Sequence, residues 1–332
     1  MDLELKRLRR LIIAFLLIAL GQVSPACAQE QQKTGIKIEA QAQSVPVKPK
    51  LAIAIGGGGL RSASAIGVLK ALEDEGITID IITGTSMGAV VGGLYAAGVT
   101  PIHIEEEFTQ KKLMHAFLTI PLKLRVMVIP LFYTPRLIGI EPYDGLYRGK
   151  RFATYLNKQV PVTEHNIEDL KIPFGAVAVS LLDGKAKTIK SGNLGKALQA
   201  SCAIPALRKP VKLGGDLFVD GGALVNLPVM QARELGGDIV VAINVDEKIE
   251  NTDEQTYHKV GSVAHRVVEM HLNHIDKEQK RLADYVIEPE IGSVGMISTS
   301  AKDARACIDA GTKAGHSAAP AIRELLKKYG RN

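Results

Sequence analysis

The sequence predicts an α/β domain built on a mainly parallel sheet with helices packed over it. Three observations carry that expectation. Short apolar runs of strand length alternate with segments of helical periodicity. The links between them are short and rich in glycine. The alternation runs from about residue 51 to the C-terminal region with no internal repeat, as in one continuous domain.

The N-terminal segment stands apart from that pattern. Lys6, Arg7, Arg9 and Arg10 precede the apolar run "LIIAFLLIAL" at 11–20, and "SPACAQE" then offers Ala26-Cys27-Ala28, a small-residue cleavage pattern. Residues 1–28 read as a secretion signal, because the apolar run is too short to span a bilayer comfortably. An uncleaved anchor or a cytoplasmic chain is the alternative. Cys27 as a lipid attachment site is a further one, although Ser24-Pro25-Ala26 fits a lipidation box poorly. Residues 29–49 are polar, carry "VPVKPK", and read as a flexible leader to a single domain at 50–332. An exported chain is expected in the periplasm, at a membrane, or secreted.

The elements then follow in order. "LAIAI" at 51–55 is a buried strand closed by Gly56. A helix over 62–75 follows, with Ile66, Leu69 and Leu72 at helical spacing and Gly76 as its stop. "IDIITG" at 79–84 is a second strand, and 87–97 a second helix, small-residue rich and ended by Gly98. The segment "KKLMHAFLTIPLKLRVMVIPLFYTPRLIGIEPYDG" breaks the pattern, being apolar, basic and interrupted by four prolines. Alternation returns with a helix at 152–157, the strand "FGAVAVSLL", a helix at 194–201 and the strand and turn "GDLFVDGG". A helix at 230–235, the strand "DIVVAINV", a long polar helix over about 255–282, the strand "DYVIEPE" and a closing helix or helix pair over 301–329 complete the chain.

Composition narrows the function. The formal charge of +6 falls to +4 without residues 1–28, where four basic residues face Asp2 and Glu4. A mild positive excess suits an anionic lipid surface, and no basic run with interleaved aromatics supports nucleic-acid binding. Beyond the signal only Cys202 and Cys307 remain, too few for a disulfide framework. They read as two buried small apolar residues, with a single pairing as the alternative.

Gly84-Thr85-Ser86-Met87-Gly88 fits the G-x-S-x-G pattern of a nucleophile held in a sharp strand-to-helix turn. Side chains at the Gly84 and Gly88 positions would collide with neighbouring backbone, and the following helix aims N–H groups near Ser86. A serine N-cap in a tight turn is the plainer alternative. The run Gly56-Gly57-Gly58-Gly59 lacks the Lys-Ser/Thr of a phosphate-binding P-loop and fails G-x-G-x-x-G in both frames, at Arg61 and Ser62. What remains is a bare loop of N–H donors, fit for the oxyanion of an acyl-transfer intermediate or, alternatively, for close helix–sheet packing.

A nucleophilic serine needs a base. Of His103, His115, His165, His258, His265, His271, His274 and His316, none sits in a glycine-flanked turn. His271 and His274 lie one helical turn apart but lack partner ligands at metal-site spacing, so they read as surface residues and no metal is expected. Asp220 is the better candidate. It ends the strand "DLFV" before Gly221-Gly222, at the strand end where parallel sheets place their sites. An aspartate that stabilises its own turn is the alternative.

Taken together, "GGGGLRSASAIGVLKALEDEGITIDIITGTSMGA", "LQASCAIPALRKPV" and "FVDGGALVNLPV" resemble, in order, the signature blocks of the bacterial patatin-like phospholipases. The resemblance runs from about Leu51 to Val245 and weakens beyond it. It implies a three-layer α/β/α fold related to cytosolic phospholipase A2 and a Ser–Asp dyad without histidine. Ser86 is then the nucleophile and Asp220 the base. Gly57, Gly58 and Gly59 form the oxyanion loop, supported by Arg61, Gly84, Gly88, Gly221 and Gly222. The substrates implied are ester bonds of phospholipids, lysophospholipids or neutral lipids, with no cofactor and no calcium in the dyad. Ser62 and Ala65 depart from the family's usual glycine and histidine at those positions.

The segment at 101–140 is expected to act as a lid or interfacial surface, with Lys111, Lys112, Lys123 and Arg125 meeting lipid phosphate, or else to pack on the core. Two rival readings stay open. One is an α/β-hydrolase with a Ser-Asp-His triad using Ser86, Asp220 and His258 or a later histidine. The other is a lipid-binding envelope protein without activity.

Overall fold

The computed structural model describes residues 48–118, 143–259 and 261–331. The signal and leader at 1–47, and the part of the expected lid at 119–142, lie outside the described residues.

Strands form where the sequence places apolar runs. Among the described residues they are β1 (Leu51–Ile55), β2 (Ile81–Thr85), β3 (Phe174–Ser180), β4 (Ala186–Ile189), β5 (Val211–Leu213), β6 (Asp216–Asp220), β7 (Ile239–Ile243) and β8 (Tyr285–Ile287). The helices are α1 (Ser64–Asp74), α2 (Ser86–Ala96), α3 (Pro101–Thr109), α4 (Lys112–Phe117), α5 (Lys150–Asn157), α6 (Leu194–Ser201), α7 (Val229–Glu234), α8 (Ser262–Leu282) and α9 (Ala301–Lys328). The closing segment is thus one long helix. The helix expected from residue 62 is preceded by a tighter 3₁₀ turn over Gly59–Ala63.

The strand order is β5-β6-β3-β2-β1-β7-β8, with β4 also on β3. β2–β1, β1–β7, β7–β8 and β2–β3 pair in parallel, so the sheet is mainly parallel as expected. β3–β4, β3–β6 and β5–β6 are antiparallel. The short strands β4 and β5 carry little apolar patterning of their own, and their pairing comes from β3 and β6.

β1 shows how the layers arise. Leu51, Ile53 and Ile55 face one core, shared with apolar residues of α1, α2, α6 and α9. Ala52 and Ala54 face the other, with Leu227, Val229 and Ala232 around α7. The period of two along a strand therefore divides the molecule into a helix–sheet–helix stack. Small residues suffice on the second face because α7 packs close there.

Candidate active site

Three turns converge at the centre of the sheet. The first leaves β1. Gly56 N–H donates to Ile243 O at 3.0 Å and Gly57 N–H to Asn226 O at 3.2 Å. Gly59 then turns with φ +58°, and a Cβ there would run into the Met296 carbonyl. Only glycine meets both demands. Gly57 was expected among the oxyanion donors, but its N–H is already committed to Asn226. The N–H groups of Gly58 and Gly59 have no hydrogen-bond partner among the described residues.

The second turn joins β2 to α2. Ser86 is the first helical residue and has φ +53°, a left-handed conformation that costs a serine about 1–3 kcal/mol. Its flanking glycines behave as the sterics demand. A Cβ on Gly84 would lie 2.5 Å from Ala89 Cα, and one on Gly88 would strike the Gly56 carbonyl. Gly88 thereby lets α2 press against the glycine loop.

The third turn ends β6. Asp220 is 6% exposed, and its Oδ2 accepts a hydrogen bond from Ser86 Oγ at 2.7 Å. Its Oδ1 accepts from Gly222 N–H at 2.9 Å, and its own N–H donates to Ala203 O at 3.0 Å. Gly221 is needed for room, since a Cβ there would lie 2.5 Å from Val177 O. Burial pushes the Asp220 carboxyl up to about 6, against the Ser86 hydroxyl, the Gly222 N–H and the Arg208 charge, which pull it down. Asp220 ends its strand as the sequence indicates, and that strand, β6, runs antiparallel to β3.

Two site residues escape sequence reasoning. Ser201 Oγ accepts from Ser86 N–H at 2.8 Å and donates to Val177 O at 2.6 Å, so it pins the turn in its left-handed state. It lies in the block "LQASCAIPALRKPV", from which no single residue could be assigned a role. Asn226, whose carbonyl holds Gly57, donates from Nδ2 to Asp276 Oδ2 at 2.8 Å and Asp246 Oδ1 at 3.2 Å. Asp276 also accepts from Leu227 N–H at 2.8 Å. Burial and the facing Asp276 push the Asp246 carboxyl up to about 8, so a proton is retained between the two acids.

Arg61 does not face the dyad. It is 1% exposed and forks onto Glu269 of α8, with Nη2 2.7 Å from Oε1 and Nη1 3.2 Å from Oε2. Nη1 also lies 3.4 Å from Glu247 Oε2. The arginine thus clamps the glycine loop to α8. Glu247, His265 and Glu269 together have a cation-binding donor set, but the Arg61 guanidinium already bridges both glutamates. Among the described residues no histidine hydrogen-bonds Ser86 or Asp220. His271 Nε2 lies 3.1 Å from Ala223 O, and His316 pairs with Glu75. Cys202 and Cys307 are separate buried thiols, which sets aside their pairing.

A family model described as patatin-like phospholipase matches residues 53–233, from β1 through α7. Human "Patatin-like phospholipase domain-containing protein 6" is 32% identical over 205 residues, covering 61% of this chain but 14% of the relative. An uncharacterized NTE family protein of Mycobacterium tuberculosis is 34% identical over 194 residues, covering 58% of this chain and 48% of the relative. "Lysophospholipase nte1" of Emericella nidulans is 33% identical over 200 residues, covering 59% and 12%. The chain therefore spans a small part of the large eukaryotic relatives. Among solved structures, human GIVD cytosolic phospholipase A2 aligns with 12% identity and a TM-score of 0.45, covering 85% of this chain and 59% of that one.

Proposed function

The chain belongs to the patatin-like phospholipase family, and we propose that it is a serine acyl hydrolase cleaving ester bonds of phospholipids or lysophospholipids. The observation that carries this reading is the 2.7 Å hydrogen bond from Ser86 Oγ to Asp220 Oδ2. In the first half-reaction Asp220 takes the Ser86 proton as Oγ attacks the ester carbonyl carbon. The resulting oxyanion is met by the Gly58 and Gly59 N–H groups, each such donor being worth about 3–4 kcal/mol. As the tetrahedral intermediate collapses, the carbon–oxygen bond to the leaving alcohol breaks, and that oxygen takes the proton from Asp220. Water then attacks the acyl-serine, giving its proton to Asp220. The second collapse frees the fatty acid and returns a proton to Ser86.

The environment of Asp220 suits the role. A carboxylate raised to about 6 is a stronger base than a free aspartate and is still ionised at neutral pH. The triad reading lacks support, since no described histidine reaches either group. Labelling by a fluorophosphonate tests the proposal directly. Wild type should be labelled at Ser86 and Ser86→Ala should not, and mass spectrometry should find free fatty acid released from phospholipid vesicles by wild type only. Absence of both labelling and release from folded protein across pH 6–9 would favour a lipid-binding protein instead.

We also propose that residues 1–28 direct export, placing the enzyme in the periplasm or at a membrane surface. N-terminal sequencing of the mature chain should begin at Gln29; a chain beginning at Met1 in the cytoplasmic fraction rejects it.

A further inference from the structure

A second polar cavity holds Arg208, the residue whose charge acts on Asp220. That cavity, of about 730 Å³, is lined by Phe117, Tyr147, Phe152 and five cations, Arg148, Lys150, Arg151, Lys158 and Arg208, with no acid among its described lining residues. Its buried cation is Arg208, only 2% exposed. The guanidinium sits 4.4 Å from the Phe117 ring centroid and 4.9 Å from that of Phe152, and Nη1 donates to Phe117 O at 3.0 Å. Its Nε has no hydrogen-bond partner among the described residues, and no described carboxylate lies within 4.0 Å of it. A buried charge left in that state is costly and calls for an anion.

The helix above it repeats the signal. Gly149 is the N-cap of α5, and a Cβ there would lie 2.6 Å from Arg208 Nη2, so the guanidinium sits directly under the helix N-terminus. That end carries the positive pole of the helix. The N-cap supplies no side-chain acceptor, and no acid stands in the first turn. Lys150 and Arg151 occupy the first two positions instead, the wrong end for helix stability, and their N–H groups have no described partner. The nearby acid Glu107 is engaged by the Tyr155 hydroxyl, and burial pushes its carboxyl above the usual range.

The cavity is tied to the dyad by one short segment. Ser201 holds the Ser86 N–H, the Ala203 carbonyl accepts from Asp220 N–H, and the next carbonyl, Ile204, accepts from Arg208 N–H at 2.8 Å. Resting on the hydrolase reading above, we infer that this cavity is a phosphate subsite, in which Arg208, the α5 N-terminus, Lys150 and Arg151 hold the headgroup phosphate of the lipid whose ester reaches Ser86.

Phosphate binding is tested first without turnover. In Ser86→Ala protein, ³¹P NMR of inorganic phosphate should show saturable binding. It should weaken about tenfold in Lys150→Gln/Arg151→Gln, whose side chains are exposed, and vanish in Arg208→Met. Lysophosphatidylcholine should displace the phosphate. In active protein the double variant should lower the kcat/KM ratio of lysophosphatidylcholine to monoacylglycerol about tenfold. No saturable binding, or equal binding by wild type and the exposed double variant, overturns the site. Saturable binding that lysophosphatidylcholine does not displace overturns the headgroup assignment and leaves a site for free phosphate. Intact phosphate binding with no hydrolysis of either ester instead sinks the hydrolase reading and leaves the cavity standing.

Discussion

Thr85 and Asp220 occupy successive positions on one edge of β3. Thr85 pairs with Val177 in parallel, and Asp220 pairs with the next residue, Ala178, in antiparallel. β2 and β6 therefore approach each other end to end, each with its C-terminus at the junction. Ser86 and Asp220 are the residues that this junction delivers to each other.

Asp220→Asn should abolish turnover and stabilise the fold. Loss of the base should lower kcat on a soluble nitrophenyl ester about 10³–10⁴-fold. The carboxylate is buried with a pKa of about 6, so the folded state holds a proton that the unfolded chain releases above about 4. Stability from this group is present below the unfolded value and is lost as pH rises through the folded one. At pH 8 the charge costs about 2–3 kcal/mol. Calorimetry should show the variant melting several degrees higher at pH 8, and no higher at pH 4.

With Asp220 as the proposed base, the same group should set the acid limb of activity. In that role only the ionised carboxylate is competent, so kcat/KM should fall about tenfold per pH unit below about 6. The Arg208 charge holds this value down, so Arg208→Met should move the midpoint upward. A pH–rate profile with a flat limb from pH 7 to 4.5 would remove Asp220 from the base role.

Ser201→Ala should loosen the nucleophile. Without its acceptor the Ser86 N–H is buried unpaired, at a cost of about 1–3 kcal/mol. The strained turn then has a reason to relax. The expected pattern is a kcat about 10–100-fold lower with KM little changed, because Ser201 acts through Ser86 orientation. A change confined to thermal stability would limit Ser201 to a structural role.

Glycine substitutions should rank by what the new Cβ meets. Gly59→Ala combines φ +58° with a collision against the Met296 carbonyl, so it should lose both activity and stability. Gly58→Ala meets the Val245 Cγ2 methyl at 2.7 Å, a side chain that can shift, and should fold with reduced kcat. Denaturation midpoints and turnover together check the order.

Arg61→Met should destabilise by about 3–5 kcal/mol, since it leaves Glu269, 2% exposed, without its cation. Arg61→Met with Glu269→Leu should recover most of the loss in chemical denaturation. Equal midpoints for the single and double variants would show that Glu269 has another partner.

Much of the site was legible in the chain because its demands are local. Gly84 and Gly88 flank a serine whose turn admits no side chains there, and Gly59 stands where φ is positive. Asp220 stood out as an acid before two glycines. Ser201, Asn226 and Arg208 were silent. Ser201 acts 115 residues from Ser86, and Arg208 meets Phe117 across 91 residues. No periodicity or spacing rule spans such separations.

The sequence alone determined the strand–helix alternation, the serine turn between glycines and the bare glycine loop, and it marked Asp220 as a candidate acid, since each rests on backbone sterics and side-chain chemistry within a few residues. Tertiary structure decided that β6 runs antiparallel and abuts β2 on β3, that Gly57 is spent on Asn226, and that a buried guanidinium sits under a helix N-terminus. Those outcomes depend on register and burial, and both are set by the packing of the whole sheet.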